Sequence, residues 1–156
     1  MANDVDITKI KHHPFIVTVG EDVVGPLKEA PSVEPDQELH ECLIYENGGK
    51  EAVASYLIKN NSTITLTTMN IDYALAQIEA SKVGDNIYDA EKKKAITFTP
   101  VTEGAAQEKT LVFPNCYLVP ELSFTPGFGG ECSTAKLVYK AKPDPTSKKL
   151  FTWAGA

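Results

Sequence analysis

The spacing of apolar residues changes in the middle of the stretch from residue 62 to 82. In its first half apolar and polar side chains alternate, with Ile64 and Leu66 on one side and a row of threonines on the other. A period of two is typical of a half-buried strand. From Asn70 onwards the apolar residues recur at intervals of three and four, which is the period of an amphipathic helix. The pattern predicts a strand that leads directly into one helix, over about residues 71–83.

The predicted helix has a start signal, an end signal and an apolar stripe. Asn70 or Asp72 can cap its first turn, and Gly84 follows its expected end. Burying a large aliphatic side chain stabilises a protein by roughly 1.5 to 3 kcal/mol, whereas an isolated helix this short is marginal in water. We therefore expect the helix to pack against the sheets through the stripe of Ile71, Ala74, Leu75 and Ile78.

Most of the remaining chain consists of short runs of strand-forming residues separated by turn signals. Asn47, Gly48 and Gly49 predict a hairpin because these residues tolerate a positive φ, although residues 50–58 are also compatible with a short helix. Eight or nine short strands of this kind predict a mainly β fold, an antiparallel β-sandwich or barrel with the one helix packed against it. The other strand candidates are residues 14–19, 94–99, 109–113, 116–124, 133–141 and 149–153.

The length of 156 residues suits a single domain. Two segments are expected to lie outside its packed body. One is a flexible N-terminal arm, residues 1–13, and the other is a Pro- and acid-rich excursion, residues 26–38, expected as an exposed loop or protruding ribbon because its prolines would interrupt a central strand. The sequence has neither the apolar region of a signal peptide nor an apolar run that could span a bilayer, so we expect synthesis in the cytosol and no membrane partner.

The charges are unevenly distributed along the chain. The formal net charge is -6, and acidic residues are concentrated between Glu21 and Glu46, whereas lysines outnumber acids from Glu131 onwards. All basic residues other than histidine are lysines. Because arginine supplies the bidentate contacts used to recognise bases and many phosphates, its absence argues against sequence-specific binding of nucleic acid.

No motif for catalysis or cofactor binding is present. His12 and His13 are adjacent, so on a strand they would point to opposite faces and could not chelate a metal together. Residues 48–50 lack the spacing and the hydroxyl residue of a phosphate-binding loop, and the glycines of 127–130 are not followed by a helical pattern. The sequence therefore predicts no enzyme activity, no cofactor and no metal site.

Three further features have both a functional and a structural interpretation. The lysine run 92–94 could bind an anion but is more typical of a solvated turn, and the threonine row could face a lumen, a partner or solvent. An odd number of cysteines without close pairs favours small buried side chains in a reducing compartment over disulfides. The cysteines are Cys42, Cys116 and Cys132.

Two stretches resemble a known family. The strand-to-helix junction TITLTTMNIDYALAQIEASK and the β region FPNCYLVPELSFTPGFGGECSTAKLVYKAKPDPTSKKLFTW are similar to the tail tube proteins of long-tailed bacteriophages. The resemblance covers about residues 62–83 and 109–153 and extends to the tube proteins of contractile injection systems and type VI secretion. It implies a β-sandwich with one helix at its side.

The resemblance also implies a mode of assembly. Subunits would close as a hexameric ring, and rings would stack into a tube that encloses a channel for DNA as passing cargo. The partners would be further copies of the chain and other tail proteins. The protein would be found in a virion tail, and in the cytoplasm of the bacterial host during assembly.

Rings that stack head-to-tail bring two different surfaces together, and complementary charge would guide their register. We hypothesise that an acidic surface meets a lysine-bearing one; the alternative is that both are solvated. The candidate contact residues are Glu34, Asp36 and Glu38 on one side and Lys136, Lys140, Lys142, Lys148 and Lys149 on the other.

A different function, binding of a small ligand inside the β-barrel or sandwich, would require a capacious apolar pocket.

Overall fold

The computed structural model describes residues 14–44, 46, 48–101 and 109–155. The predicted N-terminal arm and His12 and His13 lie outside the described residues. Within them the fold is mainly β, with one α-helix, as predicted. The elements are β1 Phe15–Val19, β2 Asp22–Val23, β3 Ser32–Leu43, β4 Ala52–Thr68, α1 Ile71–Glu79, a short 3-10 helix Ala90–Lys92, β5 Lys94–Pro100, β6 Lys109–Val119, β7 Phe124–Thr125, β8 Thr134–Lys142 and β9 Thr152–Gly155.

The strands form one antiparallel sheet that curls around its own core. The order is β2-β1-β5-β6-β8-β4-β3, with β7 paired to β8 and β9 paired to β6. A bridge between Leu27 and Thr68 joins the chain after β2 to the end of β4, near the opposite side of the sheet. Buried residues of distant strands, such as Val19 in β1 and Ile64 in β4, belong to one hydrophobic cluster. This is the predicted sandwich-like or barrel-like architecture.

The alternation of apolar and polar residues in β4 determines which side chains of this strand lie in the core. Ile64 lies opposite Tyr139 of β8, and Leu66 lies opposite Leu137, and all four side chains are buried. Because successive side chains of a strand point to opposite faces, Thr63, Thr65 and Thr67 lie on the other face of the sheet. One face of this strand pair is therefore core, and the other is partly exposed at Thr63 and Thr65 but buried at Thr67.

Helix α1 begins where the period changes. The Asn70 side chain accepts a hydrogen bond from the backbone N–H of Tyr73 (3.3 Å), so Asn70 is the N-cap. Ala74 is fully buried, and Ile71 and Ile78 pack against the core. The helix ends at Glu79, four residues earlier than expected, and in the turn that follows the Asp85 carboxylate accepts a hydrogen bond from the backbone N–H of Lys82 (2.8 Å).

A long hairpin of β3 and β4 extends beyond the rest of the sheet. The two strands pair from Ser32 opposite Thr65 to Leu43 opposite Ala52, whereas β8 covers β4 only over residues 62–68. The alternative of a short helix at residues 50–58 is therefore wrong. From Ser32 onwards the expected excursion is a regular strand, which tolerates Pro35 because it lies at the edge of the sheet.

Strand β6 contains residues from two segments, 109–113 and 116–124, that the sequence pattern predicted as separate strands. Phe113 lies opposite Ile96, but Cys116 lies opposite Lys94, so β6 has one extra residue at this point. Pro114 falls in this irregularity, where its missing N–H removes no regular ladder bond. The strand then ends at Val119, directly before Pro120.

Candidate assembly surfaces

The outer half of the long hairpin exposes large apolar side chains on both faces. We call residues 39–44 and 53–58 the apolar tip. Register shifts at Glu38/Leu39 and at Cys42/Leu43 interrupt the simple alternation of the hairpin. Monomeric proteins rarely expose a contiguous apolar surface of this kind, so the tip is a candidate contact surface. Its exposed large apolar residues are Leu39, Leu43, Ile44, Val53, Tyr56, Leu57 and Ile58.

The backbone edges of this hairpin are open in the described part of the chain. Strand β3 is the last strand of the sheet, and no described strand pairs with its outer edge. The first half of β4, residues 52–61, pairs with no described strand other than β3, although the turn 143–148 lies beside residues 57–60. An open edge presents unpaired N–H and C=O groups, to which a strand of another chain can add.

The structure places the predicted acids and some of the lysines on the same face of the sheet. Glu34 lies opposite Thr63, and Thr63 lies opposite Lys140, so Glu34 and Lys140 are two strands apart, about 10 Å. The threonine row of β4 separates them. Asp36 and Glu38 follow Glu34 along β3 at intervals of two, and therefore share its face.

The five candidate lysines differ in their surroundings. Lys136 lies on the face of Lys140, opposite Thr67. The Lys142 ammonium lies 3.4 Å from the centre of the Tyr88 ring, a cation–π contact within one copy. Lys148 and Lys149 lie apart from this face, in the exposed turn between β8 and β9. Lys142 follows Lys140 at an interval of two, so the structure groups Lys136, Lys140 and Lys142 on one face, with Lys142 engaged by Tyr88, and leaves Lys148 and Lys149 in the separate turn.

An apolar groove of about 650 Å³ lies at the base of β3. It is bounded by the segment 27–31 on one side and by the ends of strands β1, β5, β6 and β9 on the other. Lys28 and Glu29 lie at its rim, and Lys28 pairs with Glu131 (3.2 Å). Sequence reasoning missed this groove because it brings together residues from five distant segments. Its apolar lining consists of Pro14, Phe15, Leu27, Ala30, Pro31, Val33, Phe98, Leu111 and Trp153.

The loop between β7 and β8 is held in a fixed shape. A Cβ atom at Gly127 would lie 2.3 Å from the backbone oxygen of Glu131, so only glycine fits there. The Gly127 N–H donates a hydrogen bond to Ser133 Oγ (2.8 Å), and Lys28 Nζ lies 3.2 Å from the Glu131 carboxylate. Phe128 is 92% exposed on this loop.

Two tyrosine hydroxyls and one thiol are buried in the core. Burial raises the pKa of the Tyr139 and Tyr73 hydroxyls, which lie near each other but form no hydrogen bond of good geometry with any residue that the structure describes. Burial also raises the pKa of the Cys116 thiol to about 12, so the reactive thiolate is not formed at neutral pH. The interpretation of the cysteines as buried side chains is confirmed for Cys116 and wrong for Cys132, which is exposed.

The remaining sequence candidates have structural roles in the described residues. In the lysine run, Lys92 pairs with Asp85 (3.5 Å) and Lys94 donates to the Gln77 side chain (3.0 Å). No group of three or more metal-ligating side chains occurs within residues 14–44, 46, 48–101 and 109–155. In the same residues no helix combines the length and the apolar character needed to cross a membrane.

The fold is similar to that of several solved components of injection systems. The tube-terminating cap of the anti-feeding prophage matches with a TM-score of 0.64 and 16% identity, over 100% of this chain and 95% of that chain. A chain of the extended sheath–tube complex of PVC, an extracellular contractile injection system, matches with a TM-score of 0.63 and 15% identity, over 94% and 92%. The PVC sheath/tube terminator in its extended state matches with 0.60 and 17%, over 99% and 100%. No protein-family model and no curated protein sequence matches the chain.

Proposed function

We propose that this chain is a structural subunit of the tube, or of the cap that ends the tube, in a phage-like contractile injection system. The observation that carries the proposal is the long hairpin, which combines an exposed apolar tip with open backbone edges. Both features are unfavourable in a monomer and are satisfied when copies join. The shared fold with the two terminators and the sheath–tube chain supports the same conclusion.

In this proposal the copies join through their strand edges into a closed ring, six to a ring as the sequence resemblance implies. Rings stack into a tube with a central channel, and other tail proteins bind its ends. DNA is the passing cargo, and the net charge of -6 is consistent with a wall that does not retain phosphates. The assembled protein belongs to a tail or injection apparatus and assembles in the bacterial cytoplasm.

The acid–lysine contact is part of the same proposal. Glu34 and Glu38 form no ion pair within the described residues, and about 10 Å separates Glu34 from Lys140 on the same face. These acids therefore remain free to meet a lysine of a neighbouring copy. Because Lys142 is already engaged by Tyr88, the lysines best placed for this contact are Lys136, Lys140, Lys148 and Lys149.

Electron microscopy of the purified chain over a range of concentrations tests the proposal, together with its mass by analytical ultracentrifugation. Rings or stacked rings are expected. A chain that stays monomeric at every concentration, and does not join tubes of a matching apparatus, contradicts it.

The groove supports a second candidate function, binding of a small apolar ligand. Its volume of about 650 Å³ lies within the roughly 300 to 1,000 Å³ of ligand pockets. Titration with an apolar fluorescent dye, repeated with Ala30→Trp to fill the groove, tests this function. Tight binding by a protein that remains monomeric, lost in Ala30→Trp, would favour the ligand-binding function over the tube.

A further inference from the structure

The apolar groove and the apolar tip lie at opposite ends of the same strand. Val33 lines the groove, and Leu43 is the last residue of β3 at the tip. At about 3.3 Å per residue, these two positions are roughly 30 Å apart along the strand. The hairpin between them is a paired ladder, so the tip cannot fold back into the groove of its own chain.

The two surfaces match in chemistry. Aromatic and aliphatic side chains line the groove, and the charged side chains of Lys28 and Glu29 are exposed at its rim. The tip presents leucine, isoleucine, valine and tyrosine side chains. Contact between the tip and the lining would remove apolar surface from water on both sides, while the charges at the rim stay in water.

The apolar area of the tip is consistent with contact to a second copy of this chain. A half-exposed side chain of this size offers on the order of 100 Å², and seven such side chains lie on the tip. Because they lie on both faces of the hairpin, one contact buries only part of this area, less than the 800 Å² or so that one partner contributes to a standard interface. A contact of this size is sufficient where it is repeated between many copies, so the occupant of the groove is a second copy of this chain.

We propose that the groove of one copy receives the apolar tip of the next copy. The proposal rests on the proposed self-assembly and names its acceptor site. The contact joins two different surfaces. In a pair of copies, one copy therefore keeps a free tip and the other keeps a free groove, and further copies can add until a ring or a stack has formed. Because the contact is apolar, raising the salt concentration leaves it intact, whereas the acid–lysine contact weakens.

Two variants separate the two halves of the contact. In the tip variant, Leu39→Thr with Leu57→Thr, two exposed leucines that lie opposite each other become polar residues that still favour a strand. In the groove variant, Ala30→Trp adds bulk at an exposed position and removes no existing contact. Val83→Thr is the matched control, because Val83 is fully exposed and lies outside both surfaces.

The masses of the full-length proteins are measured by analytical ultracentrifugation in high salt, and their folding by circular dichroism. We expect the wild type and Val83→Thr to associate, and each surface variant to associate at least about tenfold more weakly. An equal mixture of the tip and groove variants still contains one intact tip and one intact groove. The mixture should form pairs, and it should form no assembly that is longer than a pair.

Other outcomes overturn the proposal. If the wild type assembles and both folded surface variants assemble equally well, the groove does not receive the tip, although the proposed function stands. If only Ala30→Trp loses association, another segment, such as residues 1–13, occupies the groove. A wild type that remains monomeric contradicts the contact, and it contradicts the proposed function as well only if the chain also fails to join tubes of a matching apparatus.

Discussion

Asp36 and Lys59 form an ion pair of 3.2 Å across the long hairpin. Both side chains are partly exposed, so the pair contributes only about 0 to 1 kcal/mol to stability. It nevertheless changes the charge that a neighbouring copy meets. Asp36 is neutralised within its own hairpin, whereas Glu34 and Glu38 on either side remain free of ion pairs within the described chain. Of the three acids predicted for the contact, only Glu34 and Glu38 therefore remain available to a neighbouring copy.

Charge reversal at these two acids is the test of the acid–lysine contact. The variant Glu34→Lys with Glu38→Lys should weaken assembly at low salt, because lysines would then face lysines. Adding Lys140→Glu and Lys136→Glu to the same chain should restore part of the loss. Sedimentation at 50 mM and 500 mM salt measures both effects.

The exposed Glu79 at the end of α1 lies away from this surface, so Glu79→Lys is the control for net charge. Assembly that responds equally to Glu79→Lys and to the reversal at β3 would show that only net charge matters. Assembly that is insensitive to salt and to every reversal would show that the surface is simply solvated.

Local patterns in the sequence were sufficient to predict most of the fold. The alternation around Ile64 and Leu66 predicted the strand and its buried face, and the change of period at Asn70 predicted the helix. The turn at Gly48 and Gly49 predicted the hairpin, and both glycines have a positive φ. These features depend on neighbours within a few residues, which is why one sequence is enough to find them.

The contact surfaces depend on the pairing of distant segments, which the sequence does not show. Trp153 and Phe15 meet at the groove only because β6 and β5 lie between their strands. The acids and Lys140 share a face only through the register of β3, β4 and β8. One local signal for the tip was present, since residues 42–44 and 56–58 are consecutive apolar runs without the alternation of a strand that has one solvated face.

Asn70→Ala should destabilise the protein by about 0.5 to 2 kcal/mol. The Asn70 side chain is the acceptor for the Tyr73 N–H, which has no other partner in the first turn of α1. Urea unfolding followed by circular dichroism measures the change in the free energy of unfolding. Asn70→Asp keeps an acceptor at the same position and should retain most of the stability, so an equal loss in both variants would contradict the capping role.

Gly127→Ala should disrupt the loop between β7 and β8. The added Cβ would lie 2.3 Å from the Glu131 backbone oxygen, so the backbone has to move, and the Lys28–Glu131 ion pair would be lost with it. Limited proteolysis should cut the variant faster within this loop. Gly130→Ala is a matched control, because nothing lies within 4 Å of its added Cβ; equal proteolysis of both variants would show that the close approach at Gly127 has no structural role.

The three thiols should react at different rates with a thiol-specific reagent. Cys132 is exposed, Cys42 is partly buried and Cys116 is fully buried, with its pKa raised to about 12 by burial. At pH 8 we expect Cys132 to react first and Cys116 to react only after unfolding. Cys132→Ser should remove the fast phase; a fast phase that survives in this variant would contradict the exposure of Cys132.

Tyr139→Phe should leave the protein equally stable or stabilise it by up to about 1 to 3 kcal/mol at neutral pH, since the buried Tyr139 hydroxyl forms no hydrogen bond of good geometry within the described residues. Burial raises its pKa, so the folded state keeps the proton that the unfolded chain loses above about pH 10. The wild type therefore loses stability as the pH rises above 10, and Tyr139→Phe should lose less.

Urea unfolding at pH 7 and pH 11 measures both effects, with Tyr56→Phe at an exposed position as the control. A marked loss of stability in Tyr139→Phe at pH 7 would mean that the hydroxyl is hydrogen-bonded, with Tyr73 as the nearest candidate partner.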